Sequence, residues 1–305
     1  MLKYIAKRII GSIPVFIGVA IIAFSLTYLS GDPVSLMVSM DTPRDQVEEL
    51  REQLGYNLPI HVQFTNYMVD LFRLDLGQSL RYQEPVVSLI LERFPATLQL
   101  AVASVIVALA IGIPAGIISA IKKNSISDYL VSIFALFGQS VAPFWFGLML
   151  ILIFSVNLGW LPSSGRGSFE QLIMPSITLG LFFTASVARL IRSGMLEILH
   201  SDYIRTARSK GISKGLVVYK HALKNSLIPV VTMVGIQFGT LLGGAVVVEM
   251  IFSWPGIGRM IIQAIYNRDF PLVQGAMLFC AVGIIVANII VDVIYRFLDP
   301  RIKHS

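Results

Sequence analysis

Few residues in this 305-residue chain have the types and spacing that chemistry needs. A protein that hydrolyses a nucleotide needs a glycine-rich loop closed by lysine, G-x-x-x-x-G-K-[ST], whose amides and ammonium hold the phosphates. The dipeptide Gly-Lys occurs nowhere, so no phosphate loop of this kind is present. The zinc pattern H-E-x-x-H and the serine-nucleophile pattern G-x-S-x-G are also missing, and the four histidines, at 61, 200, 221 and 304, are scattered. The single cysteine, Cys280, allows neither a disulfide nor a cysteine-rich metal site within the chain. No catalytic, cofactor-binding or metal-binding residue is therefore assigned, and an intramembrane enzyme is disfavoured.

Composition names the solvent in which these residues sit. With 55% hydrophobic residues, 14% charged residues and a mean hydropathy of +0.75, the chain is too apolar for one soluble core. A bilayer core of about 30 Å takes roughly 20 helical residues to cross. Six charge-free runs qualify: Ile9 to Gly31, Phe94 to Ile121, Tyr129 to Gly165, Gln171 to Ala188, Asn225 to Val248, and Phe270 to Val291. The third exceeds one span, and its tail, NLGWLPSSGRG, reads as a loop with Trp160 at the interface, so a single helix ending near Val156 is expected. Barrel strands would alternate in polarity, and these runs do not. The expected fold is an all-α integral membrane protein with six transmembrane helices.

Basic flanks orient such a protein. All nine lysines (3, 7, 122, 123, 210, 214, 220, 224 and 303) fall at the two ends, in the second-to-third connection, or in the stretch 202–229. These places are expected in the cytoplasm, with both termini. Residues 32–93 carry ten acids, five arginines and no lysine, and form an extracytoplasmic loop on this reading. Thr42 and Pro43 open one short amphipathic helix in it that ends at Gly55, and a second is expected over Ile60 to Phe72. Lys3, Lys7 and Arg8 before an apolar run resemble a signal peptide, but the run is long and no A-x-A site follows, so an uncleaved anchor is expected.

Carriers driven by protons or sodium bury acids in mid-membrane. Here the candidates, Glu249 and Asp292, sit at the ends of spans. Asp292 has Arg296 at i+4, which suits an interfacial ion pair. Two readings fit Glu249: a gate, or an anchor for the turn that follows, the second being the simpler.

That leaves DYIRTARSKGISKGLVVYKHALKNSLIP, residues 202–229, a charged stretch between two apolar ones. Ser201 or Asp202 can cap a helix over Tyr203 to Lys210 that Gly211 stops, and Ser213 can cap a second with Leu216, Tyr219 and Leu223 on one face. A topogenic loop needs only a few lysines. Two ordered helices around a glycine point instead to docking with another protein.

YIRTARSKG followed by HALKNSLIP resembles the EAA loop of binding-protein-dependent ABC importer permeases, in the first-permease branch of the dipeptide and oligopeptide systems. The likeness continues in KRIIGSIPVFIGV, GDP at 31–33, RFPATLQLA at 93–101, APFWFG at 142–147, LPSSG at 161–165, MPSITLG at 174–180, FSWPGIGR at 252–259 and RDFPLVQG at 268–275. The family's Glu-Ala-Ala triplet falls on Arg205, Thr206 and Ala207, and its glycine on Gly211. Two positions depart from the pattern: Arg205 replaces the glutamate, and Lys224 replaces the proline of the closing I-x-L-P, with His221 and Leu223 in its apolar places.

The resemblance implies a type I ABC importer permease-like fold in a prokaryotic cell membrane. It implies as partners a second permease, one or two ATPase subunits and an extracytoplasmic binding protein, with a peptide as solute and no nucleic acid. Tyr203, Arg205, Thr206, Ala207, Arg208 and Gly211 would couple to the ATPase. Gly235, Gly239 and Gly243, four apart on one helix face, form a small-xxx-small ridge that either packs within the subunit or, with Gln237, faces the pore and the second permease. Pro114, Pro143, Pro175 and Pro229 can bend four spans. The expected units are a transmembrane helix at 1–31, the loop at 32–93, a five-helix core at 94–298 with the coupling loop at 195–224, and a tail at 299–305. Related systems carrying nickel chelates, glutathione or oligosaccharides stay open, as does an autonomous channel or ion-coupled carrier.

Overall fold

In a computed structural model of the chain, residues 2–29, 34, 38, 42–53 and 55–298 are described. The motif GDP at 31–33 and the tail 299–305, an expected unit, lie outside them. Among the described residues the regular structure is helical: α1 (Leu2–Leu29), α2 (Arg44–Gln53), α3 (Ile60–Phe72), α4 (Val86–Ile121), α5 (Ile126–Ser140), α6 (Pro143–Leu150), α7 (Phe169–Leu199), α8 (Asp202–Ser209), α9 (Lys214–Leu216), α10 (Lys224–Leu242), α11 (Val246–Ile251), α12 (Ile257–Tyr266) and α13 (Phe270–Leu298). The two short helices of the 32–93 loop form as expected, with Pro43 accepting the amides of Gln46 and Val47 at 3.1 and 3.2 Å.

Among the described residues five segments are long and apolar enough to cross a membrane: Ala6–Leu26 of α1, α4, α7, Val217–Leu242 and Phe270–Ile294 of α13. The third expected span is not one helix. It breaks into α5 and α6, which meet at 103°, and the pair makes a sixth crossing if taken as one span. Pro143 is the cause. It has no amide to donate and forces the residue before it out of the helical region, and both Val141 and Ala142 are extended, with ψ of 127° and 131°. Beyond α6 the chain widens into a π-helix over Ile151–Asn157. Pro114, Pro175 and Pro229 lie inside continuous helices, so only Pro143 ends one.

The core is built where α4 crosses α7. In the apolar window of α7, 61% of the residues are buried, against 11% in α1, which makes α7 central and α1 peripheral. Small residues allow the crossing. A Cβ on Gly116 would lie 2.7 Å from the Ala188 carbonyl oxygen, and one on Gly180 would lie 2.8 Å from that of Ser104. Gly112 and Gly116 thus supply the small-xxx-small contact by which membrane helices approach when lipid gives no hydrophobic drive.

Candidate coupling site

The end of α7 carries the charged stretch. Ile191 and Met195 are fully buried, Gly194 lets Ser226 of α10 approach, and His200 ends the helix. Ser201 stands at the cap position of α8, where its carbonyl accepts the amides of Ile204 and Arg205, while its hydroxyl donates back to Ile198 at 2.6 Å. Asp202 puts an acid in the first turn, where the helix dipole favours it.

Helix α8 is anchored on one side and presented on the other. Ile204 is completely buried, whereas Tyr203, Arg205 and Thr206 are exposed. The Tyr203 hydroxyl accepts from Asn225 Nδ2 at 3.1 Å, which ties the helix to the start of α10. Ala207 and Arg208 continue the helix, and their side chains lie outside the described residues. Gly211 turns the chain with φ +77°, in the left-handed region that glycine enters without penalty. Ser213 Oγ then accepts the Leu216 amide at 3.4 Å, opening the second helix.

The buried stripe of that second helix is not the run of Leu216, Tyr219 and Leu223. Val217 and Ala222 are buried, and Leu216 and Tyr219 are 48% and 63% exposed. The reason is a π-helix over Val217–Leu223: its i→i+5 bonds turn each residue through a smaller angle than an α-helix does and rotate the buried stripe. Leu216 and Tyr219 are left as exposed apolar surface.

One part of the site has no counterpart in the sequence expectations. Arg192 of α7 donates to both oxygens of Asp128 of α5, Nε to Oδ1 at 2.8 Å and Nη2 to Oδ2 at 2.9 Å. Asp128 also accepts from Ser119 Oγ at the end of α4 and from the Asn124 amide at 2.9 Å, and is 4% exposed. A bidentate guanidinium–carboxylate pair is the most directional ionic contact proteins make. It clamps the α4–α5 turn to the stem that leads into α8. The capping pattern Ser125-x-x-Asp128 ahead of an apolar run was the visible signal for half of it.

At the opposite end of the spans, two of the quoted motifs meet. Thr97 Oγ1, from RFPATLQLA, donates to Glu249 at 3.0 Å and accepts the Ile257 amide at 2.9 Å. Trp254, from FSWPGIGR, is fully buried and donates through Nε1 to the Ala96 carbonyl at 2.8 Å. Glu249 accepts the Arg259 amide at 2.9 Å as well, so it anchors the turn before α12. Asp292 pairs with Arg8 of α1 at 3.0 Å, and the side chain of Arg296, its expected partner, lies outside the described residues.

The glycine ridge closes on the same chain. Gly235 faces Val291, Gly239 faces Ala287 and Gly243 faces Ile284, all on α13, and Gln237, two residues from Gly235 and Gly239 and so turned away from their face of the helix, is half-buried. These contacts pack the ridge within the subunit.

Comparison with known proteins gives these features a family. Residues 112–304 match the model of the binding-protein-dependent transport system inner membrane component, and residues 1–101 match the N-terminal model of the same membrane components. The chain is 44% identical, over the full length of both chains, to the dipeptide transport system permease protein DppB of Alkalihalophilus pseudofirmus. It is 41% identical, again end to end, to the glutathione transport system permease protein GsiC of Escherichia coli K12. The inward-facing MetNI methionine ABC transporter shares the fold, with a TM-score of 0.59 at 19% identity over 69% of this chain and 96% of that one. The paired helices at 202–223, the buried Trp254 corner and these full-length matches agree, and the chain belongs to the inner-membrane permease family of binding-protein-dependent ABC transport systems.

Proposed function

We propose that this chain is one of two permease subunits of an ATP-driven importer of di- and oligopeptides, and that α8 with Gly211 is its handle for a partner ATPase. One observation carries the mechanical part: α8 is an ordered helix whose outer face is exposed and whose stem is clamped to α5 by Asp128 and Arg192. The ATPase receives the exposed Tyr203, Arg205 and Thr206 in a surface groove, and Ala207 and Arg208 belong to the same coupling segment. Leu216 and Tyr219, exposed on the segment that follows Gly211, offer the ATPase apolar contact. When two ATPases close on nucleotide, the handle moves and α7 tilts with it. Peptide as the solute is supported by the full-length likeness to dipeptide permeases. Glutathione is the second reading, supported by relatives of that name at 41% identity.

Reconstitution in vesicles with a second permease, ATPase subunits and a binding protein tests the assignment. Dipeptide should accumulate only with ATP and all components present. Passage of solute through this chain alone would make it a channel.

Both termini are placed in the cytoplasm on the strength of the lysine distribution. In a Cys280→Ser background, Ile60→Cys on α3 should react with an impermeant thiol reagent added outside. Ser213→Cys should react only when the inside is opened. The reverse pattern would overturn this orientation.

A further inference from the structure

A second charged feature lies at the opposite end of the spans from α8. A cavity of about 210 Å³ opens between the first turns of α4 and the start of α12. Arg93 and Arg259 line it, Leu89, Pro255 and Met260 give it apolar walls, and Gln263 stands at its edge. Arg259 is held in place, because its Nη1 donates to the Ser253 carbonyl at 2.5 Å. A guanidinium has five donors, so this bond leaves others for a ligand. Among the described residues no carboxylate pairs with that guanidinium: Glu249 lies behind it and accepts the backbone amide of Arg259 instead. Arg93 has only its neighbour Glu92, at 3.6 Å and well exposed.

We propose that this cavity receives the terminal carboxylate of the solute as it enters the permease, with Arg93 and Arg259 as the charged partners. The inference rests on the peptide reading above and narrows it. Two guanidinium forks converging on a small space match a carboxylate, which such groups bind in two-pronged fashion. The volume lies below the roughly 300–1,000 Å³ of pockets that enclose a whole small molecule. It fits one end of a solute: the acid group and a short apolar side chain against Leu89 and Met260. Peptides and glutathione both carry such an end, and a neutral oligosaccharide does not.

The test uses the complete reconstituted importer, with Tyr82→Cys in a Cys280→Ser background as a reporter at the cavity rim. Its reaction rate with a negatively charged methanethiosulfonate is followed, and the probes are dialanine and dialanine amide. Dialanine at about ten times its Kd should slow labelling about tenfold, because it leaves roughly a tenth of the sites open, and the amide, which lacks the charge-assisted contact, should give no protection at the same concentration. Adding Arg93→Gln should abolish the protection, while Arg93→Lys retains part of it. Equal protection by acid and amide, or none by either, would overturn the proposal. Protection by solute-free binding protein alone would overturn it too, because the carboxylate would then belong to a docking side chain. ATP-driven dialanine uptake is measured on the same vesicles. Normal uptake without protection rejects this site and leaves the peptide reading standing, whereas absent uptake in the reporter's parent rejects that reading itself.

Discussion

Gly211→Val is expected to leave the subunit in the membrane and to reduce solute uptake at least tenfold. At φ +77° a β-branched residue is strained by about 1–3 kcal/mol, and the chain escapes by extending α8 or reorienting it. Nothing lies within 4 Å of the position a Cβ would take, so the cost comes from the backbone and not from a clash. The turn is also remote from the α4–α7 core, which should therefore form and insert normally. The ATPase should detach or hydrolyse without moving solute. Gly211→Asn separates conformation from mere change, since asparagine tolerates the left-handed region, and it should retain most uptake. ATPase retained on the purified complex and solute accumulated in ATP-loaded vesicles, measured together, check both variants.

The clamp should give the second large effect. Arg192→Leu removes the cation from a carboxylate that is 4% exposed, leaving Asp128 with Ser119 and the Asn124 amide. Breaking a buried pair from one side typically costs about 3–5 kcal/mol. The Arg192 side chain is itself 32% exposed, which places the expectation at the lower end. Thermal unfolding of the purified complex should fall accordingly. The double variant Asp128→Asn with Arg192→Gln removes both charges and should recover much of the stability. Its solute moved per ATP should still fall, because a neutral pair ties the α4–α5 turn to the α7 stem less firmly. A double variant with the parent's stability and the parent's ratio would reduce the clamp to ordinary packing.

Much of this was legible in the residues. Long charge-free runs set the spans, and α3 spans Ile60–Phe72, as its helix-forming residues predict. Gly211 was readable as a helix stop because glycine alone enters that turn freely. The broken third span was less so, since membrane helices often tolerate proline. Pro143 stands at a helix break where Pro114, Pro175 and Pro229 lie inside continuous helices, and residue type alone does not separate them. Which residues of Val217–Leu223 turn inward was not legible, because a π-helix leaves no mark in a 3.6-residue pattern. Asp128 and Arg192 stand 64 residues apart, and no local spacing joins them. The ridge of Gly235, Gly239 and Gly243 was visible, but the helix that fills it was not, because any small-residue stripe admits several partners.

The central claim is that α8 is where another protein's ATP hydrolysis takes hold of this one. Site-specific photocrosslinking from Arg205, whose side chain is exposed on that helix, tests it most directly in the assembled complex. A photoreactive residue at 205 should give one major adduct, with the ATPase subunit, and its yield should change when nucleotide closes the ATPase pair. The same group at Ile60 should give none. An importer that takes up solute normally while position 205 yields no ATPase adduct, with or without nucleotide, would contradict the account.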